Sequence, residues 1–463
     1  MDAQTILDDG VWGLPHLFDG RPELQKPPLY YWLTASLGWL RGGRVDAWAV
    51  RLPSAGAAAL IVLAVLAGLA WGKRRAAAGL LAALVLATAL HFTWLARIGR
   101  IDMPLTLCIT LALGSFHLAR GGERRIRLPL LVLAYLAIAA GVLLKGPLAV
   151  VLPVAVMIGD RLSDACTRRW RSGLVHRVTV SPCHRVTSLW WGVPLVAALT
   201  LPWFLWVNAH THGEFFRVFL WHHNIERGLG GSSLRANPWW FYVPQFFADF
   251  LPWSPLLLPA VWWLYRRGLW REDADARFGL TWFLTVLLLL SCSRFKRADY
   301  LLPAYPGAAV FLGCAGQRWL QTLDDKRRRL AVGGITALAG VMVVVWLARV
   351  EWWLPRHEPY RDYRRFAARI RELSPRPDEV VLFRTEAHPL AFHLGQPLAV
   401  VVQWRELNAR LRQPGTHYLV TPPNCAEECP LYLHGVRLEN VVSNTDLSDR
   451  GHEHPLVLLR AGP

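Results

Sequence analysis

The sequence carries little charge for its length. Charged residues make up only 18% of the 463 positions, whereas hydrophobic residues make up 53%. Long apolar runs recur along the chain, which is typical of a polytopic membrane protein and excludes an ordinary soluble globule. The 24 tryptophans fit the same class, because indole rings favour the boundary between lipid headgroups and the apolar bilayer core.

Cysteine motifs and nucleic-acid modules are also missing. The seven cysteines are scattered and form no CxxC pair, so no zinc ribbon is indicated. The formal net charge is +18, but no basic and aromatic nucleic-acid module is visible. Much of this charge lies in loops, where lysine and arginine fix the orientation of membrane spans. We therefore expect membrane lipids as partners and no nucleic acid.

The apolar runs predict a mainly α-helical transmembrane bundle of about 10–11 spans, since crossing the bilayer core takes about 20 residues. Candidate spans lie at roughly 51–72, 76–96, 103–119, 128–144, 147–159, 188–208, 239–265, 278–293, 300–316 and 331–348. The fifth is short, so its neighbour is expected to be a broken helix. The segment from Leu29 to Leu40 is too short to span and is typical of an interfacial or re-entrant helix.

Loop charges predict the orientation. The loops around 73–75, 120–127, 161–185, 266–277 and 318–329 carry most of the loop lysines and arginines, which indicates the cytoplasmic side. Residues 1–50, the hinge 97–102 and everything after about 349 are then expected outside. No hydrophobic segment precedes residues 1–50 to carry them across, so we expect a further span upstream of this sequence.

The chain changes character after the last apolar run, which predicts domains at 1–350 and 351–463. The second is expected to be a small extracytoplasmic α/β domain, without a GxGxxG loop or a nucleophile elbow. Its predicted elements are a basic amphipathic helix at Tyr363–Leu373, a helix at Trp404–Leu411, and strands at Val380–Phe383, Ala399–Val402, Tyr418–Val420 and Val457–Leu459. Cys425 and Cys429 lie in it, and spacing alone leaves a disulfide between them open.

The polar stretch Arg97-Ile98-Gly99-Arg100-Ile101-Asp102 lies between two long apolar runs. A charged turn between two spans must sit at a membrane face, and a plain solvated turn is one interpretation of it. Neighbouring arginines favour an ionised Asp102, which could then act as a general base towards an incoming hydroxyl or amine. Asp102 is therefore the candidate catalytic residue, with Arg97 and Arg100 as candidate phosphate ligands.

Three further pieces are expected on the same outer face. Lys26 follows Gln25 in the proline-bounded motif QKPPLYYW, and Lys145 stands alone in the tight turn LLKGP. Either lysine is also compatible with simple snorkelling to the interface. The third piece is a pair of loops, which contribute the candidates His222, His223, Arg227, Lys296 and Tyr300.

Outward-facing basic residues in short loops beside apolar segments suit an anionic lipid headgroup. Lysine and arginine supply the donors that a phosphate or pyrophosphate needs, and arginine can bind two oxygens at once. Paired histidines also allow a divalent metal, although adjacent loop histidines are more often ordinary polar residues. No cofactor is required by the pattern, and a metal held by His222 and Tyr300 stays open.

These motifs resemble a known enzyme family. QKPPLYYW, RIGRIDMP, LLKGP, HHNIERGLG, NPWWFY and SRFKRADYLLPAYP are similar to the bacterial lipid-A aminoarabinose transferases, and more broadly to the protein mannosyltransferase branch of the GT-C membrane glycosyltransferases. The resemblance covers roughly residues 1–320. It implies a multi-pass bacterial inner-membrane enzyme that moves a sugar, with inversion, from a polyprenyl-phosphate donor to a lipid, glycan or protein acceptor.

The same resemblance implies roles for individual residues. Lys26 and Arg227 match positions that contact the lipid phosphate, Asp102 matches an acidic site residue, and His222 and Tyr300 match residues that help to bind a metal in some members. The sequence departs from the family at Gln25, where an acidic residue usually stands. The family's first acidic pair would fall before Met1, so an inactive truncated homologue is one alternative.

A transporter or flippase of lipid-linked saccharides is the alternative from another functional class. Such proteins line the interior of the bundle with charges and lack a fixed outer domain. The spans of this chain are nearly free of charge, so the sequence favours the transferase.

Overall fold

The structure is a computed structural model. It describes residues 2–17, 21–71, 75–121, 124–172, 184–226, 237–357, 362–374, 379–385, 387–395, 398–433, 435–447 and 451–462. These divide into two compact units. One comprises residues 10–15 and 23–340, and the other comprises residues 1–9, 16–22 and 341–463. The main division along the chain falls at 341, and residues 1–9 and 16–22 group with the C-terminal part. The boundary at 350 stays a prediction.

The larger unit is a helical bundle. Its first helices are α2 (Leu29–Leu40), α3 (Ala47–Ala70), α4 (Ala76–Thr88), α5 (Leu90–Ala96), α6 (Asp102–Gly121), α7 (Arg124–Lys145), α8 (Leu148–Ser172) and α9 (His184–His210). The helix α1 (Asp2–Asp9) precedes them in the chain and belongs to the smaller unit. The later helices are α10 (Glu214–Phe216), α11 (Tyr242–Asp249), α12 (Leu257–Arg266), α13 (Ala274–Ser291), α14 (Tyr305–Gln321) and α15 (Asp325–Leu347). A π-helical segment (Arg217–Glu226) follows α10, and a 3-10 segment (Ala298–Ala304) precedes α14.

Six helices of the described chain are long and apolar enough to cross a membrane, and the bent pair α4–α5 makes up to seven. This is a multi-pass membrane protein. The count is below the expected ten to eleven because the predicted span 239–265 is broken into α11 and α12, and α14 has only 17 residues. The fifth predicted span is the first half of α8, whose charged second half excludes this helix from the count as well. Its neighbours α7 and α9 are each one continuous helix, so the broken helix expected beside it is not found.

α6 lies at the centre of this unit and is the most enclosed of the long apolar helices. It packs against α3, α7 and α8, and its buried side chains join the main hydrophobic core with those of α13 and α14. Asp102 begins α6 and Arg120 lies near its end, so about 27 Å of helix separates them. Polar clusters form at both of these ends.

We call the group around Arg120 the distal cluster. Its members are Arg75, His117, Arg120, Asp160, Asp164, Asp273, Asp275, Arg277 and Arg318. Asp273 is the most buried; it accepts from Arg75 Nη2 at 2.6 Å and Arg318 Nε at 3.0 Å, and it caps α13 through the Ala276 amide. These ion pairs join α4, α13 and α14 at the end of the bundle opposite the hinge.

The C-terminal part of the smaller unit is an α/β fold. Its sheet contains β1 (Val380–Phe383), β2 (Ala399–Val401), β3 (His417–Thr421), β4 (Arg437–Ser443) and β5 (Val457–Gly462) in the order β2-β1-β3-β5-β4. β2, β1 and β3 are parallel, whereas β5 runs antiparallel to both β3 and β4. The predicted strands and helices are all present, and β4 is an element that the sequence analysis missed.

Helices cover both faces of this sheet. After the short α16 (Leu354–His357) come α17 (Arg364–Leu373), α18 (His388–Leu394), α19 (Trp404–Leu411) and α20 (Pro423–Tyr432). The side chains of α17 and α18 pack with one set of strand residues, and those of α19 and α20 pack with the alternate set. This two-sided burial explains why β1 is hydrophobic at every position.

Candidate active site

The hinge between α5 and α6 is anchored to α3 by one serine. The buried Ser54 hydroxyl donates to the carbonyl of Arg100 at 2.9 Å, and the Arg100 amide donates back to Ser54 Oγ at 3.0 Å. A Cβ at Gly99 would lie 2.8 Å from the Val50 carbonyl oxygen, so only glycine allows this close approach. The hinge is therefore fixed in position before Asp102 starts the next helix.

Asp102 is buried and held by two cations. The carboxylate is 5% exposed, with Oδ1 2.5 Å from Lys145 Nζ and Oδ2 3.2 Å from Arg100 Nε. A buried carboxylate is retained only where paired charges and hydrogen bonds offset its desolvation. The structure thus joins three of the residues expected at the site: Asp102, Arg100 and Lys145.

The Lys145 ammonium is positioned by its turn and by an aromatic ring. Lys145 ends α7, and Gly146 follows with φ of +75°, a conformation that strongly favours glycine. A side chain at Gly146 would also clash with the ring of Phe219. Lys145 Nζ lies 4.2 Å from the centroid of the Tyr300 ring, which adds a cation–π contact.

The ion pairs continue beyond Arg100 to two carboxylates and a histidine. Arg100 Nη2 lies 2.6 Å from Asp299 Oδ2, while His91 Nε2 lies 3.5 Å from Asp299 Oδ1. The other ring nitrogen of His91 is 3.2 Å from Asp249 Oδ2 and 3.1 Å from the Tyr305 hydroxyl. The 69° bend between α4 and α5 gives His91 this position, one residue after α5 begins.

We call this group the hinge cluster: Lys145, Asp102, Arg100, Asp299, Arg297, His91 and Asp249. A hydrogen bond from His91 lowers the pKa of the Asp299 carboxyl; burial opposes this effect, and the charges of Arg100 and Arg297 reinforce it. Apart from His91, the cluster contains three cations and three carboxylates. Each cation in this resting state already has an anionic partner.

The remaining predicted residues near the hinge differ in exposure. Gln25, Lys26 and Arg97 are exposed on the surface of the larger unit. Lys296 is only 4% exposed; its ammonium donates to the carbonyls of Asn237, at 3.1 Å, and Ser293. Burial lowers the pKa of Lys296. Lys296 therefore ties two loops together here rather than facing the hinge cluster.

The described residues do not fit a metal site. They contain no group of three or more histidine, cysteine or acidic side chains arranged to hold an ion. His222 Nδ1 instead lies 2.5 Å from Glu226 on the exposed π-helical segment, beside His223. Tyr300 faces the Lys145 ammonium, whose positive charge would repel a divalent cation. Arg227 lies outside the described residues.

Sequence reasoning missed four members of the hinge cluster: His91, Asp249, Arg297 and Asp299. Asp299 stands inside the motif SRFKRADYLLP, where only its lysine and tyrosine were singled out. His91 offered a weak signal as the one titratable side chain within the apolar run 76–96. Asp249 lies in a broken helix more than 140 positions downstream of the hinge, and no local pattern links the two.

Known proteins match this chain in sequence and in fold. A family model described as dolichyl-phosphate-mannose-protein mannosyltransferase matches residues 4–215. A crystal structure of ArnT from Cupriavidus metallidurans, bound to undecaprenyl phosphate, matches all of this chain and 93% of that chain, with a TM-score of 0.75 and 19% identity. The chain has the ArnT fold. The resemblance inferred from the sequence motifs is thereby confirmed.

Two sequence relatives have the same printed name, undecaprenyl phosphate-alpha-4-amino-4-deoxy-L-arabinose arabinosyl transferase. The protein from Pseudomonas paraeruginosa is 32% identical over 364 residues, which are 78% of this chain and 61% of the relative. The protein numbered 1 from Pseudomonas fluorescens Pf0-1 is 34% identical over 230 residues, 48% of this chain and 36% of the relative. The chain therefore spans less than two thirds of these relatives.

Proposed function

We propose that this chain is a membrane glycosyltransferase that moves a sugar from a polyprenyl-phosphate donor to a hydroxyl or amine of a lipid, glycan or protein acceptor. The observation that carries the proposal is the buried Asp102 carboxylate held between Lys145 and Arg100. It combines a candidate base with two candidate phosphate ligands at one end of the bundle. The names of the sequence relatives, and the undecaprenyl phosphate in the ArnT crystal structure, support this donor class.

The reaction would be a single displacement. The acceptor oxygen or nitrogen forms a bond to the anomeric carbon as the bond from that carbon to the phosphate oxygen breaks. Polyprenyl phosphate leaves with the electron pair, and the acceptor proton passes to Asp102. The configuration at the anomeric carbon inverts, and no metal step is invoked because the described residues do not fit one.

Donor binding would also prepare the base. In the resting cluster both oxygens of Asp102 are paired with cations, so neither oxygen is free to accept the acceptor proton. A donor phosphate competes for Lys145 and Arg100, since phosphate oxygens accept the same charge-assisted hydrogen bonds. Asp102 becomes available as a base once these cations shift to the phosphate, so the donor is expected to bind before the acceptor.

The proposed orientation follows from the loop charges. The hinge end of the bundle would face away from the cytoplasm, and the distal cluster, next to the arginine-rich loops, would face the cytoplasm. The C-terminal α/β domain would then be extracytoplasmic in a bacterial inner membrane. Lys26 and Arg97, both exposed, are proposed as further contacts to lipid phosphate, as are Lys296 and Arg227 once the donor reorganises the loops.

The test separates donor binding from turnover in the purified full chain. Undecaprenyl phosphate is the binding probe, and the aminoarabinose-loaded lipid named for the relatives is the first donor assayed. Asp102→Asn is expected to retain lipid binding and lose turnover by about 100-fold or more. Lys145→Met is expected to weaken lipid binding by about tenfold. Lys326→Met, at an exposed lysine of the first turn of α15, is the matched control and should leave both unchanged.

Unchanged turnover in Asp102→Asn would contradict the proposed base. Equal binding by wild type and Lys145→Met would contradict the phosphate role of Lys145. A wild-type chain that binds the lipid, shows no transfer from any polyprenyl-phosphate sugar, and moves lipid-linked saccharides across vesicle membranes would be a flippase instead.

A further inference from the structure

Arg100 lies between two carboxylates that belong to different elements. Its Nε donates to Asp102 Oδ2 at 3.2 Å, and its Nη2 lies 2.6 Å from Asp299 Oδ2. The proposed reaction uses Asp102 as the base and Arg100 as a phosphate ligand, but it gives Asp299 no role. A second carboxylate beside a phosphate ligand repels the incoming phosphate. The structure therefore pairs a proposed phosphate ligand with a group that opposes phosphate binding.

The 3-10 segment that carries Asp299 also contacts the other cation of the site. Tyr300 is the next residue, and the centroid of its ring lies 4.2 Å from Lys145 Nζ. Two consecutive residues of one segment thus contact both of the cations that hold Asp102. Each of these cations has one partner in Asp102 and a second partner in the 3-10 segment.

The 3-10 segment is fixed by contacts with the core. Residues 301–304 are buried, and the carbonyl of Pro303 accepts a hydrogen bond from the buried Trp282 Nε1 of α13 at 2.9 Å. The segment packs against both α6 and α13. Because these contacts do not involve the ion pairs, Asp299 is expected to stay in place when a ligand changes the partners of Arg100.

A second partner matters because the donor phosphate must separate Arg100 from Asp102 before Asp102 can accept a proton. If Asp102 were the only partner, the separated guanidinium would be free to rotate, since the Arg100 side chain is 27% exposed. Ordering a mobile arginine costs conformational entropy, which lowers the affinity for the phosphate. The contact with Asp299 is the shorter of the two, which favours it as the ion pair that persists.

We propose that Asp299 is a positioning residue: it retains Arg100 at the site while the donor phosphate replaces Asp102 as the other partner of the guanidinium. The inference rests on the proposed function. Asp299 acts through Arg100 and not on the reacting atoms. Its repulsion of the phosphate is smaller than the gain from an ordered guanidinium, so removing its charge weakens donor binding.

The test is a double-mutant cycle on the binding of undecaprenyl phosphate by the purified full chain. Asp299→Asn keeps the shape of the side chain and removes its charge. In the wild-type background it should weaken lipid binding about fivefold. In the Arg100→Gln background the same substitution should leave the affinity unchanged or slightly higher, because only the repulsion of the phosphate is then removed. Thermal unfolding checks that each variant is folded.

Asp325→Asn is the matched control. It also removes the charge of an aspartate 2.6 Å from an arginine, but the pair of Asp325 and Arg328 is exposed and lies outside the hinge cluster. It should leave lipid affinity unchanged in both backgrounds.

Unchanged or tighter binding by Asp299→Asn in the wild-type background would overturn the inference on its own. An equal loss of affinity in both backgrounds would also overturn it, because Asp299 would then not act through Arg100. Absence of lipid binding by the wild-type chain would instead contradict the proposed function.

Discussion

Lys145 and Tyr300 are joined by a cation–π contact, with the Lys145 ammonium 4.2 Å from the centroid of the Tyr300 ring. The contact holds the ammonium above the ring while Asp102 Oδ1 lies 2.5 Å away. Tyr300 thus contributes its aromatic face to the hinge cluster. Its hydroxyl is not needed for that contact, which makes the two parts of the side chain separable by substitution.

Tyr300→Phe should therefore behave like wild type, and Tyr300→Leu should weaken binding of undecaprenyl phosphate. A cation–π contact is worth about 0.5–2 kcal/mol, so the expected loss in affinity is about 2- to 30-fold. Equilibrium binding of the lipid by both variants checks this. A large loss in Tyr300→Phe would show that the hydroxyl matters, as it would if it bound a metal or the donor.

Ser54→Ala should loosen the hinge. The variant removes both hydrogen bonds between Ser54 Oγ and the backbone of Arg100, and leaves a partly buried amide without this partner. We expect a loss of about 1–3 kcal/mol in the free energy of unfolding. Turnover should fall because Arg100 and Asp102 are less well oriented. Thermal unfolding and donor turnover measure the two effects, and Ser54→Thr, which keeps the hydroxyl, tests whether turnover recovers.

Asp273→Asn should destabilise the opposite end of the bundle. The Asp273 side chain is fully buried between Arg75 and Arg318, and removing one partner of a buried ion pair costs about 3–5 kcal/mol. Asp325→Asn is the control, because Asp325 is 81% exposed and its ion pair with Arg328 lies on the surface, where such a pair is worth at most about 1 kcal/mol. Thermal unfolding in detergent compares them. Equal shifts in the two variants would contradict the importance of the buried pair.

The Asp273 pair also predicts a pH dependence of stability. Burial raises the pKa of Asp273, but hydrogen bonds and charge from Arg75 outweigh it, with help from Ala276 and Arg318, and the net pKa is lowered. A lowered pKa in the folded state stabilises the fold above the unfolded-state value and loses that contribution as the pH falls through the folded-state value. The stability difference between wild type and Asp273→Asn should therefore shrink on acidification.

Cys425 and Cys429 are expected to be unreactive in the native protein. Both are buried free thiols one turn apart on α20, and Cys429 Sγ contacts the carbonyl of Cys425 at 3.3 Å. Burial raises the pKa of Cys429 to about 11. At neutral pH its side chain is therefore a protonated thiol, which is less reactive than a thiolate. A maleimide should label them only after denaturation, whereas exposed Cys166 should react in the native state. Intact mass two units below that of the reduced chain would reveal a disulfide instead.

The sequence predicted the class of fold and three of the seven residues of the hinge cluster. Asp102, Arg100 and Lys145 stand at the ends of apolar runs, where a charged residue is conspicuous because the bilayer makes it costly. His91, Asp249 and Asp299 could not be placed with them, since their meeting depends on the bend after α4 and on the packing of α11 against the 3-10 segment. Neither feature leaves a periodic pattern in the sequence.

Lys296 is a predicted site residue that does not face the hinge cluster. Its position in a loop beside an apolar segment resembles that of Lys145, and both were predicted to bind phosphate. Only Lys145 is paired with a carboxylate, because Lys296 lies within reach of the carbonyls of Asn237 and Ser293. Local sequence shows that a lysine is near the interface, but tertiary contacts decide what its ammonium meets.

The alternation of charge along the hinge cluster limits how this site can diverge. Loss of Asp299 alone would leave Arg100 and Arg297 facing each other, and loss of Arg100 alone would leave Asp102 and Asp299 short of a shared counter-ion. Substitutions that the site tolerates should therefore occur in compensating pairs, in which one carboxylate and one cation of the cluster are replaced together. A chimera that takes only part of the hinge cluster from a relative is expected to be inactive. A chimera that takes the whole cluster is expected to be active.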